Sequence, residues 1–447
     1  MKLKSLALIL LILFCSSLRA QNNKIDFIEY NLDNGLHVIL HQNNSTPIIA
    51  VTVTYHVGSK NEQPDRTGFA HFFEHLMFEG SENIKRGEFF QLVQNAGGEL
   101  NASTSFDKTF YYEELPSNQI ELALWLESER MLHLKIDSIG VETQRGVVKE
   151  ERKQRLENQP YGSILEQTFS HAYKAHPYKW TPIGSAQYID MAKLGEFIEF
   201  YKTFYVPNNA VLSISGDFEV NKMKDLVNKY FAEIPKGTRS IYRPDITEPK
   251  QAGLIKDTVY DNIQLPAVIK AYHIPGQGTD DYYALNMLTT LLSSGQSSRF
   301  YKQIVDKEQK ALFVGSFPFS LEDPGLFLVY SIANAGIQAS QVDSSINAEI
   351  SKVQNDLISE REFEKLRNQV ENDFVNNKDT NLGIATSLAD YYIFFKGNTN
   401  LINTELEKFM KVTRDDIKRV ANQYLVKENE TLLYYVPKSA KVASEGK

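Results

Sequence analysis

The chain has 447 residues, of which 42% are hydrophobic and 23% charged, and its formal net charge is −8. That length exceeds one ordinary domain of about 100–200 residues, and the apolar content with no extended low-complexity tract excludes disorder as the default. The mild acidity argues against a nucleic-acid or anionic-membrane surface, because either favours clustered Lys and Arg.

Residues 1–20 read as a secretory signal peptide. Lys2 and Lys4 form its charged start, Ser5 to Phe14 are an apolar run too short for a bilayer, and Leu18-Arg19-Ala20 offers a cleavage site. Cleavage after Ala20 would make the protein periplasmic or secreted. It would also remove Cys15, the single cysteine, and with it disulfides and thiol catalysis. Lipidation at Cys15 is disfavoured by Phe14, which stands where such sites prefer a small residue. No later apolar stretch is long enough for a membrane span.

Further along, Phe27–His41 and Ile48–Val57 alternate as strands do, with Asn34-Gly35 as a hairpin turn. Helices are expected at Gly68–Glu79, Ser117–Leu134 and Ser138–Leu156, with Ser117 and Asp137 as caps. Between the first two, Asn101–Tyr112 alternates after Gly97-Gly98. This suits an edge strand that pairs with an extended peptide through Asn101 and Ala102, although an internal strand gives the same pattern. Arg243–Gln251 carries Pro244, Pro249 and several charges without a period, and reads as a linker.

A repeat follows from comparing Phe204-Tyr-Val-Pro-Asn-Asn-Ala-Val-Leu-Ser-Ile-Ser with Tyr424-Leu-Val-Lys-Glu-Asn-Glu-Thr-Leu-Leu-Tyr-Tyr. Each follows an amphipathic helix, and the same offset relates Phe197 to Ile417 and Phe200 to Val420. The expected fold is therefore α+β: two homologous domains, residues 21–242 and 252–447, joined by 243–251. Each would be a mainly antiparallel sheet packed against helices.

The chemistry concentrates in His71-Phe72-Phe73-Glu74-His75. On a helix the two histidines lie about 40° apart, so both imidazoles can reach one ion, and Glu74 can reach a water beside it. This is the H-x-x-E-H arrangement of zinc peptidases, in which three protein ligands leave one position open and the carboxylate accepts a proton. The apolar neighbours Phe72, Phe73, Leu76, Met77 and Phe78 place the helix in a core, where such polar groups need a partner. A third ligand must come from elsewhere. The adjacent carboxylates Glu150 and Glu151 are candidates, of which only one can face the histidines. His171 and His176 have no ligand spacing.

These residues, with Val147-Val148-Lys149-Glu150, Gly58-Ser59, Gly97-Gly98-Glu99-Leu100-Asn101-Ala102, Asn158-Gln159-Pro160-Tyr161-Gly162 and Ser215-Gly216-Asp217, give a chain that resembles the insulinase/pitrilysin family of zinc peptidases. The likeness is to the shorter bacterial and mitochondrial-processing-peptidase-like branch, and runs from about Asp26 to the C-terminus. The resemblance implies zinc held by His71, His75 and Glu150, Glu74 as the catalytic base, and hydrolysis of peptides or unfolded polypeptides in an enclosed chamber. It places a supporting Glu two turns before the third ligand, where Thr143 stands with Glu142 beside it. The second half of complete family sites carries an Arg and, seven residues later, a Tyr. Here Asp306 and Phe313 stand in those places, and neither donates the hydrogen bonds wanted. The implied assembly is a heterodimer with a homologous subunit that supplies Arg and Tyr, a homodimer being the other arrangement. The same fold also serves as a structural subunit or peptide-binding module, but the scaffold relatives generally lack a complete metal set.

Overall fold

The computed structural model describes residues 24–376 and 378–439; the expected signal peptide, residues 1–20 with Cys15, lies outside the described residues. Two sheets carry the fold. The first has six strands, β1 (Ile28–Asn31), β2 (His37–Gln42), β3 (Ile48–Tyr55), β4 (Glu99–Thr104), β5 (Thr109–Pro116) and β6 (Ala210–Gly216). Their spatial order is β1-β2-β6-β3-β5-β4, which leaves β4 at an edge. The second has β7 (Ile255–Asp261), β8 (Ala267–His273), β9 (Ala311–Phe319), β10 (Leu326–Ala333) and β11 (Glu430–Pro437), in the order β7-β11-β8-β10-β9.

Replacing β2, β6, β3, β5 and β4 by β7, β11, β8, β10 and β9 turns one order into the other. The directions agree as well: β2 with β6 and β7 with β11 are the parallel pairs, and the remaining neighbours are antiparallel. The helix, 3-10 turn and strand at Leu194–Phe204, Pro207–Asn209 and β6 recur at Arg414–Tyr424, Lys427–Asn429 and β11. The sequence repeat is thus the closing unit of each sheet. Residues 243–251 form no helix or strand.

The first hairpin turns where the sequence places it. Gly35 has φ +89°, and the Asn34 side chain donates to the Phe231 and Ile234 carbonyls at 2.8 and 2.9 Å. Two expectations are corrected. Asn101–Tyr112 is two strands, because Ser105 reverses the chain: its N–H donates to the Lys108 carbonyl, and its hydroxyl accepts from the N–H groups of Asp107 and Lys108. Ser117 caps no α-helix. It opens a 3-10 turn, Ser117–Gln119, its hydroxyl donates to Asp217, and the helix runs from Ile120 to Leu132. Asp137 does cap Ser138–Arg152, accepting from the Gly140 N–H at 2.8 Å.

The halves are packed together. The helix Asn381–Phe394 lays Ile384, Leu388 and Ala389 over Ile39 and Val211 of the first sheet, so β2 and β6 are apolar on both faces. A second contact is ionic. The buried Lys60 ammonium lies 2.9 Å from Asp107 and reaches into the β9–β10 connection, 2.5 Å from Glu322 and 3.2 Å from Asp323. Burial alone would lower this ammonium, but the three carboxylates outweigh it and hold it above the usual lysine range. Lys60→Met would leave Asp107 buried without its cation, and denaturant unfolding should show a loss of about 3–5 kcal/mol. An unchanged midpoint would mean the network contributes nothing. Burial also opposes ionisation of Glu322, yet His56 and Lys60 depress it to about 2. Its contribution is therefore present above the ordinary carboxylate value of about 4.3 and is lost as pH falls from there toward 2. No described helix is long and apolar enough to cross a membrane.

Candidate metal centre

The motif occupies an eight-residue helix, Phe69–Leu76. Phe69, Phe72 and Phe73 are buried, and their rings meet Phe197 and Phe200 of the Leu194–Phe204 helix at centroid distances of 4.6–6.1 Å. Each buried Phe contributes roughly 1.5–3 kcal/mol, enough to fix which side of so short a helix faces outward. Both ends are also held. Glu62 accepts from the Gly68 and Ala70 N–H groups, and the buried Arg130 donates to the Met77 carbonyl at 3.3 Å.

On the opposite face His71 and His75 converge on Glu151. Glu151 Oε2 is 3.1 Å from His75 Nε2 and 3.4 Å from His71 Nε2. The donor atoms of this trio all lie within 4.8 Å of one another, and it is the one such group of three among the described residues. Glu150 points away, exposed, and accepts from Gln154 at 3.0 Å. The third carboxylate at the histidines is therefore Glu151, not Glu150. The reason lies in the Ser138–Arg152 helix. At roughly 100° per residue Glu151 falls about 60° from the buried Val148, whereas Glu150 falls about 160° away. The buried positions Val141 and Val148 carried that signal in the sequence, against the motif phrase that selected Glu150.

Burial, then repulsion from His75, hold His71 down to about 4, so its imidazole is neutral at pH 7, the form that ligates metals. Contact with His75 lowers Glu151, which also pairs with Arg155 at 2.9 Å. Although close to both rings, Glu151 Oε2 makes no hydrogen bond of good geometry, and His71 Nδ1 has no partner. Two imidazoles and a carboxylate aimed at a common point rather than at each other fit a zinc-type ion.

Glu74 stands beside this trio. Burial raises its carboxyl, and Thr104 at the end of β4 donates to its Oε2 at 2.7 Å, opposing that rise. Asn101 and Ala102 lie on the same edge strand, where Asn101 Oδ1 accepts from the Ala102 N–H at 2.9 Å. With Glu151 as the third member, the position two turns earlier is Gln144 rather than Thr143, and Gln144 donates to Glu79. His171 and His176 are engaged elsewhere, with Asp257 and Gln167, and with Asp323 and the Tyr178 N–H. Asp306 is exposed in the π-helical segment Tyr301–Lys307, and Phe313 is exposed on β9 with its ring against Tyr330. Arg299, the nearby arginine, is held by both oxygens of Glu362 at 2.7 and 2.9 Å. Thr104, Glu62 and Arg130 are contacts to the motif helix and its ends that no sequence motif marked.

A helix carrying H-x-x-E-H, with a distant carboxylate and an edge strand beside it, defines a metallopeptidase-type site. The chain belongs to the M16 family of peptidases. Residues 37–184 match the family model described as insulinase (peptidase family M16), and residues 192–370 match the one described as peptidase M16 inactive domain. The zinc protease PqqE of Helicobacter pylori is 32% identical over 98% of this chain and 98% of its own length. A probable mitochondrial-processing peptidase subunit beta of Arabidopsis thaliana is 24% identical, over 88% of this chain and 75% of that protein. Among solved structures, a protease from Helicobacter pylori superposes with a TM-score of 0.89 at 32% identity, covering 92% of this chain and all of the other.

Proposed function

We propose that the chain is a zinc-dependent metallopeptidase for extended peptides, with His71, His75 and Glu151 as ligands and Glu74 as the general base. The observation that carries this reading is the convergence of those three donors with Glu74 beside them and Thr104 of an edge strand on Glu74. A zinc ion bound there supplies a Lewis acid and makes water a nucleophile near neutral pH. The chain's own residues do the rest. Glu74 takes the proton of the attacking water on Oε1, since Oε2 is engaged by Thr104, and returns it to the leaving amine. The outer edge of β4, at Asn101 and Ala102, pairs with the substrate backbone and lays the scissile bond over the metal helix. Residues 21–242 form the metal-binding domain, 243–251 the linker, and 252–447 the homologous domain without a metal set. Metal analysis together with a peptide-cleavage screen tests the assignment. Purified protein that binds zinc and cleaves nothing under any condition would favour a peptide-binding module instead.

The second half leaves the oxyanion short of donors, because Asp306 and Phe313 supply none and Arg299 is committed to Glu362. We infer that a homologous subunit provides Arg and Tyr across a chamber closed between two chains. The isolated chain should then hydrolyse peptides weakly, and adding that partner should raise turnover by about 10²–10³ per missing donor. Full activity of the lone chain, unaltered by any partner, would remove this part of the reading.

A further inference from the structure

The metal helix begins without a cap of its own. Its N-cap is Gly68, at φ +98°, which offers no side chain to the first-turn N–H groups. That role falls to Glu62, which is outside the helix and only 3% exposed. Its Oε2 accepts from the Gly68 N–H and its Oε1 from the Ala70 N–H, both at 2.8 Å. Ala70 immediately precedes His71, so the same bond that closes the first turn sets where the first imidazole starts. Burial pushes the Glu62 carboxyl up to about 8, against the backbone donors that favour its charged form.

Glu62 is in turn fixed from the other side. It directly follows the 3-10 turn Ser59–Asn61, whose Lys60 is bound by Asp107 and by Glu322 and Asp323 of the second half. The first turn of the metal helix is thus tied, through two residues, to the connection between β9 and β10.

We propose that Glu62 is a positioning residue for the metal centre: it sets the tilt of the helix Phe69–Leu76, so that His71 and His75 meet Glu151 at ligating distance. The proposal rests on the reading of that trio as a zinc site. Glu62 touches neither metal nor substrate. Its removal acts on the eight-residue helix by freeing the Gly68 and Ala70 N–H groups at its start.

The test compares Glu62→Gln with Glu248→Gln in the full-length chain. Glu248 is a matched control, since it makes the same kind of contact in the linker, accepting from the Lys174, Ala175 and His176 N–H groups at 2.7–2.9 Å. The amide of Glu62→Gln turns an NH2 toward a backbone N–H. Zinc affinity, measured by competition with a chromogenic chelator, should fall about 10- to 100-fold, the range for partners that orient ligands. Amide hydrogen exchange over residues 69–76 should accelerate in the metal-free protein. Glu248→Gln should speed exchange near residue 175 and leave zinc affinity at the wild-type value. Wild-type affinity and exchange in Glu62→Gln overturn the proposal, as does an equal loss of zinc in Glu248→Gln. If Glu62→Gln does not fold, Glu62→Asp decides, because it keeps the carboxyl group but withdraws the oxygens by one methylene: wild-type zinc affinity and exchange there overturn the proposal, and a loss of both supports it. A wild-type chain that binds no zinc sinks the metal reading, and the exchange measurement still decides the role of Glu62.

Discussion

Glu74→Gln should retain zinc at the wild-type stoichiometry and lose peptide hydrolysis by about 10²–10⁴-fold. The substitution preserves size and the hydrogen bond from Thr104 to the side-chain oxygen, while removing the group that accepts a proton from the attacking water. In the proposed site the ligands are His71, His75 and Glu151, so the substitution removes none of them. Two measurements on one preparation are needed, zinc per chain and initial rate on an unstructured peptide, with the partner subunit present if the wild type requires it. A metal-loaded Glu74→Gln protein with substantial turnover would show that another group takes the proton.

The adjacent carboxylates provide an equally sharp result. Glu151→Gln should weaken zinc binding by more than the roughly 100-fold that outer-shell partners reach, because a neutral amide replaces one of three ligands. Glu150→Gln should bind zinc as the wild type does, since its side chain faces Gln154 and solvent. Equilibrium dialysis of the two variants side by side suffices. Loss of zinc from Glu150→Gln with retention in Glu151→Gln would overturn this assignment, since it needs the helix end rotated by about 100° against the face that buries Val148.

That pair also shows what could be read from the sequence and why one residue escaped. His71, Glu74 and His75 form a local pattern whose geometry is set by one helix, so spacing alone brings them together. The third carboxylate arrives from another element, and its identity depends on the rotation of a helix whose buried face is marked by only two valines and a glycine. The motif phrase Val147-Val148-Lys149-Glu150 ends on the wrong one of the two carboxylates, and that sparse face is a weak counter-signal. The duplication was legible because the helix, turn and strand recur intact, and the common strand order gives it a structural basis. The turn at Ser105 was not legible, because a serine hydroxyl accepting from two following N–H groups leaves no break in the alternation around it. Glu62 was invisible for a related reason. Its role requires knowing that a chain segment six residues before the helix folds back onto it.

The Lys60 network has a consequence for how the polypeptide behaves when its continuity is lost. The halves share apolar contacts, among them Phe106 and Phe169 packed with Phe319, besides the ammonium reaching Glu322 and Asp323. The connecting stretch is itself pinned, by Arg243 to the His56 carbonyl and by Glu248 to three backbone N–H groups. A single protease cut between residues 243 and 251 would therefore leave two fragments that migrate as one particle until denatured. Covalent connection would then matter for proximity during folding, and noncovalent contacts alone would keep the finished molecule together.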